Sequence, residues 1–255
     1  MAEETRMLPS MRLDGRVALV TGAGRGIGRA SALALAEAGA EVIAVSRTEA
    51  EVAAVAAAIE ASGGTARAVV CDVTDTAALN REFEDLDRLD ILLNNAGTSV
   101  PMPLTELDEA VLDTMLLVNI RAAVLAARAA ARIMVRQGEG VIINLSSTFG
   151  KVGRPGTSIY SGTKHFIEGF TKSTAVELAP TGVRVVAVGP TAIETPMTAA
   201  RLADPVIGGD LLSRIPMGRF GQVEDVVGAV VFLASPAAAL ITGTTIMVDG
   251  GWTAQ

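Results

Sequence analysis

Residues Arg16–Arg47, RVALVTGAGRGIGRASALALAEAGAEVIAVSR, decide the fold. RVALV is a short apolar run of the kind that forms a buried strand. TGAGRGIG (Thr21–Gly28) follows with no spacer, and a helical stretch then closes at Gly39. EVIAVSR (Glu41–Arg47) reads as a second strand, so the stretch is one βαβ unit. Gly22 permits the sharp turn, Gly26 lets backbone approach a diphosphate, and Gly28 allows helix and strand to touch. The first N–H groups of the helix then face an anion.

The same alternation runs through the chain. Helices are expected at Glu49–Ala61, Thr76–Leu86, Glu106–Gln137, Ser158–Ala179 and Val223–Leu233. Between them lie strands ending at Asp72, Gly97, Ser147 and Pro190, and a last one in TTIMVDGG. Strand and helix in strict succession imply an α/β fold. The expected form is a doubly wound, seven-stranded parallel sheet with helices on both faces. No repeat or linker divides it, so residues 13–255 are expected to form a single Rossmann-type domain behind a flexible arm, residues 1–12.

Ligands of such folds sit beyond the carboxyl ends of the strands. Here those exits are Thr21–Gly28, Ser46-Arg47-Thr48, Asp72-Val73, Asn94-Asn95-Ala96-Gly97, Ser146-Ser147 and Gly189-Pro190-Thr191. The fifth leads into SSTFGKVGRPGTSIYSGTK (Ser146–Lys164). Tyr160 and Lys164, four apart on a helix, share a face. A nearby ammonium lowers the pKa of an acid by roughly 1–3 units, so Lys164 is expected to bring the only tyrosine of the chain toward neutral pH as a proton donor or acceptor. Ser147, on a separate loop, is placed to bind the same substrate oxygen.

Composition excludes other classes. The 255 residues carry a net charge of −7 and no basic cluster, which argues against nucleic acid. One cysteine, Cys71, and one histidine, His165, offer neither an internal disulfide nor a metal cluster. The N-terminus, MAEETRMLPSM, lacks the apolar region of a secretory signal, and runs such as VVGAVVFLA are shorter than a membrane span. A cytoplasmic location is expected. Half the residues are apolar and the mean hydropathy is +0.43, which points to burial against copies of the chain.

The motifs LDGRVALVTGAGRGIG, CDVTD, NNAG, VNI, NLSS, YSGTK, ETPM and VDGG, in this order, resemble the short-chain dehydrogenase/reductase family over residues 13–253. AVSRTEAEV, GPTAIETPM and RIPMGRFGQVEDVV are most similar to its dicarbonyl/L-xylulose reductase group. The resemblance implies a hydride transfer between a nicotinamide cofactor and a carbonyl or secondary alcohol. Tyr160 would be the general acid/base, Ser147 the orienting donor, and Lys164 the residue that tunes Tyr160 and holds the nicotinamide ribose. The backbone of Asn119 would hold a relaying water. Gly22, Gly26 and Gly28 would cradle the diphosphate, with Arg25 and Ile27 of the same turn also binding the cofactor; Asp72 and Val73 would contact adenine, and Asn94, Ala96 and Gly97 would line the cofactor. Ile193 and Thr195 would meet the nicotinamide amide and the phosphates, and Pro190 would also bind the cofactor. Two positions depart from the family pattern: Thr191 stands where glycine is usual, and His165 where a small residue is.

NAD-preferring relatives end the second strand in an acid that binds the ribose 2′-hydroxyl. Here that position is Ser46, followed by Arg47 and Thr48, with Arg25 in the glycine turn. Two guanidiniums and two hydroxyls suit a 2′-phosphate, so NADP(H) is expected over NAD(H). The substrate is expected to be a sugar- or polyol-type ketone or a small dicarbonyl, with a 3-oxoacyl thioester on acyl-carrier protein as the alternative. A non-catalytic NADP sensor is the alternative of another class. The variable loops Thr98–Pro103, Thr148–Thr157 and Thr191–Gly218 read as an apolar substrate pocket with few charges. The two long helices and Trp252 near the C-terminus are expected to form the contacts of a homotetramer.

Overall fold

A computed structural model describes residues 9–255. Seven strands form one parallel sheet in the order β3-β2-β1-β4-β5-β6-β7. They are β1 (Val17–Thr21), β2 (Glu41–Ser46), β3 (Ala66–Val70), β4 (Ile91–Asn94), β5 (Gly140–Leu145), β6 (Val183–Pro190) and β7 (Thr245–Val248). Residues 1–8 of the expected arm lie outside the described residues. Of the rest, Arg12 bonds Asp14 and the carbonyl of Glu37, which ties that end of the arm to the body.

Successive strand side chains point to opposite faces, and each face has its own core. Ala18, Val20, Val42, Ala44, Leu93 and Ile143 pack under α1 (Gly26–Glu37), α2 (Glu49–Ala61) and the late helix Val223–Ala234. Leu19, Ile43, Leu92, Ile142 and Val185 pack on the other face under three further helices. These are α3 (Thr76–Glu84), α4 (Glu109–Gln137) and α5 (Ser158–Leu178). The connection from β6 to the late helix, expected as an irregular loop, contains two short helices, α6 (Ala199–Ala203) and α7 (Pro205–Ser213). The helix Val223–Ala234 is therefore α8.

Helix α4 differs from expectation in two ways. It starts at Glu109, where Asp108 accepts from two backbone N–H groups and caps it, and residues Leu117–Ala122 are wound as a π-helix. It is also long and apolar enough, by length and composition, to cross a membrane, although no apolar run was expected to do so. Its Ala126, Ala130, Ile133 and Met134 are buried against the sheet. Only 28% of its most apolar stretch is buried, and Leu116, Leu117 and Val135 remain exposed.

The strand order reverses beside β1, whose neighbours β2 and β4 lead away in opposite directions. At such a switch point the loops diverge and leave a crevice. A cleft of about 410 Å³ opens there, along the carboxyl ends of the strands.

Candidate active site

The outer part of the cleft is built by the first βαβ unit. Gly22 has φ +66°, and a Cβ there would lie 2.9 Å from the Asn95 side chain. Gly28 packs so closely on the turn after β1 that a Cβ would fall 2.2 Å from the Gly22 carbonyl oxygen. The cap position of α1 is Arg25, and among the described residues no side chain bonds the first N–H groups of the helix. Helices α3, α4 and α7 are capped by aspartates, so α1 alone among these keeps its dipole end open to the cleft. Thr195 lies over this turn, 3.4 Å from where a Gly26 Cβ would be. Thr191, on the same wall, has a buried hydroxyl with no partner among the described residues. A cradle without side chains, an open helix end and an orphaned hydroxyl fit a dinucleotide.

Arg25, Ile27, Ser46, Arg47, Thr48, Asp72 and Val73 all line this end. Arg47 is well exposed and lies 3.7 Å from Asp72. Glu51 also lines it, against Gly24 beside Ser46, and was not expected. Its place in the first turn of α2 gives no sequence signal, because acids are favoured there for the helix dipole alone.

The Asn94–Gly97 loop is divided. Ala96, Gly97 and Asn95 line the cleft, with Asn95 Nδ2 donating to the carbonyls of Thr21 (2.9 Å) and Gly22 (3.1 Å) and so holding the glycine turn. Asn94, expected to line the cofactor, turns away. It pairs in register with Asn144 on β5, donates to that side chain at 3.1 Å and to the Ala123 carbonyl at 3.0 Å. It is the last residue of β4, so its side chain follows the strand alternation into the layer of α4.

The inner end brings together Ser147, Tyr160 and Lys164 with Pro190 and Ile193. Ser147 leaves β5 and accepts from the Phe149 N–H at 3.2 Å. Lys164 is buried, donates to the Leu145 carbonyl at 2.6 Å, and lies 5.7 Å from the centre of the Tyr160 ring. Asn119 sits in the π turn with its side chain committed. It exchanges bonds with the backbone of Thr98, both 2.8 Å, and donates to Thr163. Any share it takes in proton relay falls to its backbone.

The electrostatics correct one expectation. Burial raises the Tyr160 phenol above its ordinary pKa, while the Ser147 hydroxyl and the charge of Arg201 pull it back only in part. Lys164 is spent on Leu145 instead, and burial lowers its own ammonium to about 8, partly opposed by Glu168. Glu168, one helical turn past Lys164, is buried and accepts from Ser146 (2.5 Å), Thr245 (2.6 Å) and Lys151.

The substrate side also differs from the apolar pocket that was expected. Arg154 and Arg201 line it. Trp252, expected at a subunit contact, is buried in its own chain. It meets Phe149 edge-on at 5.7 Å, and Phe149 meets Tyr160 at 6.1 Å. Asp249 accepts from the Gly251 and Thr253 N–H groups and turns the C-terminal residues back into the cleft. His165 is an exposed helix residue whose ring meets the Ser161 carbonyl.

A nucleotide cradle running into a tyrosine, a serine and a buried lysine is the equipment of a dinucleotide-dependent oxidoreductase. Residues 22–253 match a family model described as enoyl-(acyl carrier protein) reductase. The chain is 41% identical to L-xylulose reductase of Bos taurus, covering 96% of this chain and 99% of that one. It is 43% identical to a 3-oxoacyl-[acyl-carrier-protein] reductase of Synechocystis, over 94% and 97%. Among solved structures, a putative NAD(P)-dependent gluconate 5-dehydrogenase from Beutenbergia cavernae, with NADP bound at low occupancy, superposes with a TM-score of 0.93. It shares 40% identity, over 96% and 99% of the two chains. The chain belongs to the short-chain dehydrogenase/reductase family.

Proposed function

We propose that this protein is an NADP(H)-dependent oxidoreductase that interconverts a ketone and a secondary alcohol on a sugar- or polyol-type substrate or a small dicarbonyl. The observation that carries the reading is the convergence of Ser147, Tyr160 and Lys164 at the inner end of one cleft whose outer end holds Ser46, Arg47 and Arg25. NADPH, when bound, supplies the hydride. Gly22, Gly26 and the open end of α1 would hold its diphosphate, Asp72 and Val73 its adenine side, and Ala96, Gly97, Ile193 and Thr195 its inner half. A relative in the same family carries NADP in its structure, which supports this choice over NAD.

Tyr160 protonates the carbonyl oxygen during reduction and takes that proton back during oxidation. Ser147 donates to the same oxygen, fixing its position and holding developing negative charge. Lys164 keeps a positive charge beneath the pair. Phe149 and Trp252 exclude water from one wall, which strengthens each of these interactions. A sensor without catalysis would have no use for this arrangement of tyrosine, serine and buried lysine.

The Synechocystis relative favours a second reading, reduction of a 3-oxoacyl thioester. NADPH oxidation followed at 340 nm with L-xylulose, diacetyl and acetoacetyl-CoA separates the two. Faster turnover of the sugar or dicarbonyl is expected, and activity with the thioester alone would overturn that choice.

We further infer a homotetramer of single domains spanning residues 13–255. The exposed apolar residues of α4, with Phe166 and Val176 on α5, support it, as does the stacking of Phe166 on Phe170. Light scattering should show an assembly of four. The single buried, unpaired Cys71 fits a reducing compartment such as the cytoplasm.

A further inference from the structure

The charges along the cleft are unevenly placed. Its two lining acids, Glu51 and Asp72, lie at the outer end with Ser46 and Arg47. At the inner end the described lining residues include Arg154, Lys164 and Arg201 and no carboxylate. The whole chain carries −7, so this excess of positive charge runs against the protein's average. A concave wall of low dielectric strengthens the field such a cluster makes.

The two arginines are held differently. Arg154 gives its Nε to Asp210 at 2.9 Å, and Asp210 also receives Arg214. Its charge is answered within the protein. Arg201, on α6, is half-buried, and among the described residues its side chain has neither a hydrogen bond nor an ion pair. A guanidinium carries five donors, and partial burial without acceptors is costly unless an anion meets them. Arg201 lines the same cleft as Tyr160 and Trp252, and its charge pulls the phenol downward.

We infer that Arg201 receives a carboxylate of the substrate, so the compounds this enzyme prefers are hydroxylated carboxylic acids with the ketone or alcohol a few carbons from the acid group. The inference rests on the oxidoreductase reading above and narrows it. A planar guanidinium grips a carboxylate by two parallel bonds, and with that end fixed the chain of the substrate reaches back across Trp252 to Tyr160. Neutral sugars and polyols would lack the anchor. A site built to bond one polar group discriminates strongly against analogues without it. The diphosphate of the cofactor is the rival occupant for Arg201, but the open end of α1 and the Gly22–Gly26 turn already provide for it.

The test compares wild type, Arg201→Gln and Arg201→Lys with matched acid and neutral substrates: 5-ketogluconate and fructose for reduction, gluconate and sorbitol for oxidation. Wild type should favour the acids by at least about tenfold in kcat/KM. Arg201→Gln should lower kcat/KM for the acids by about 10–100-fold, chiefly through KM, and by a much smaller factor for the neutral pair. Arg201→Lys should recover part of the ratio. The collapse of the ratio is the readout, with NADPH affinity measured alongside. Equal or better use of the neutral compounds by wild type would overturn the inference. So would an equal loss on both pairs, or a loss of NADPH affinity, which would assign Arg201 to the cofactor.

Binding separates this inference from the reading beneath it. Trp252 is the only tryptophan and lines the same end of the cleft, so its fluorescence reports occupancy. If no ketone or alcohol is turned over, yet gluconate quenches Trp252 saturably and Arg201→Gln abolishes the quench, the anion site stands and the oxidoreductase reading fails. Turnover of neutral substrates with no gluconate binding overturns the anion site alone.

Discussion

Lys164 Nζ lies 2.6 Å from the backbone oxygen of Leu145 and 5.7 Å from the centre of the Tyr160 ring. The lysine is thus anchored to the end of β5 and stands over the tyrosine ring, with no bond to its phenol among the described residues. Its burial leaves it with an ammonium pKa of about 8, below the ~10.4 of a solvated lysine.

That difference predicts a pH-dependent stability. Between the two values the unfolded chain binds more protons than the folded one, so this group's contribution to stability rises with pH. Below about pH 8 the full cost of the buried charge is present; above about pH 10 it is gone. Wild type should gain about 2–3 kcal/mol relative to Lys164→Met between pH 7 and pH 10. Urea melts of both proteins at the two pH values check this, and a difference independent of pH would show that the amine is solvated.

Tyr160→Phe should leave NADPH binding within about twofold and lower kcat by about 10²–10⁴, the usual worth of a general acid/base. Ser147→Ala removes one donor to the same oxygen and should cost about 10²–10³. Steady-state rates with fluorescence titration of the cofactor measure both. Turnover of the phenylalanine variant close to wild type would show that another group handles the proton.

Glu168 joins three elements behind the site, taking bonds from Ser146, Thr245 and Lys151. Glu168→Gln keeps the shape but replaces one acceptor oxygen by a donor, which leaves a buried hydroxyl unmatched. Stability should fall by about 1–3 kcal/mol. The kcat should fall too, because Ser146 directly precedes Ser147. Thermal melts paired with steady-state rates test this; an unchanged melting temperature would remove Glu168 from this role.

Cofactor choice should follow the end of β2. Arg47 is exposed and only loosely paired with Asp72, so it is free to turn to a 2′-phosphate. Arg47→Ala should weaken NADPH by about tenfold, roughly 1.4 kcal/mol, and leave NADH nearly unchanged. Ser46→Asp combined with Arg47→Ala should reverse the preference, because an acid at that position repels the phosphate. Both follow from Kd values by fluorescence, and equal losses for the two cofactors would show that neither side chain reads the phosphate.

The sequence by itself determined the layered α/β architecture and the stretch that carries the chemistry. Strand runs, glycine turns and helix spacing are local properties. The βαβ unit at Arg16–Arg47 and the shared face of Tyr160 and Lys164 were therefore legible without a fold. What depended on distant contacts was not. Asn94 and Asn95 are adjacent, yet strand alternation sends one toward Asn144 and leaves the other to hold the glycine turn. Trp252 reaches the cleft only because Asp249 turns the C-terminus back. Arg201 has meaning only once the segment after β6 folds as α6 and brings it into the cleft that Tyr160 lines, without an ion pair among the described residues. The Tyr160–Lys164 spacing was right, but the direction of the tyrosine's shift was not. Charge proximity can be read from helical periodicity, whereas desolvation depends on everything packed around the group, and here desolvation is the larger effect.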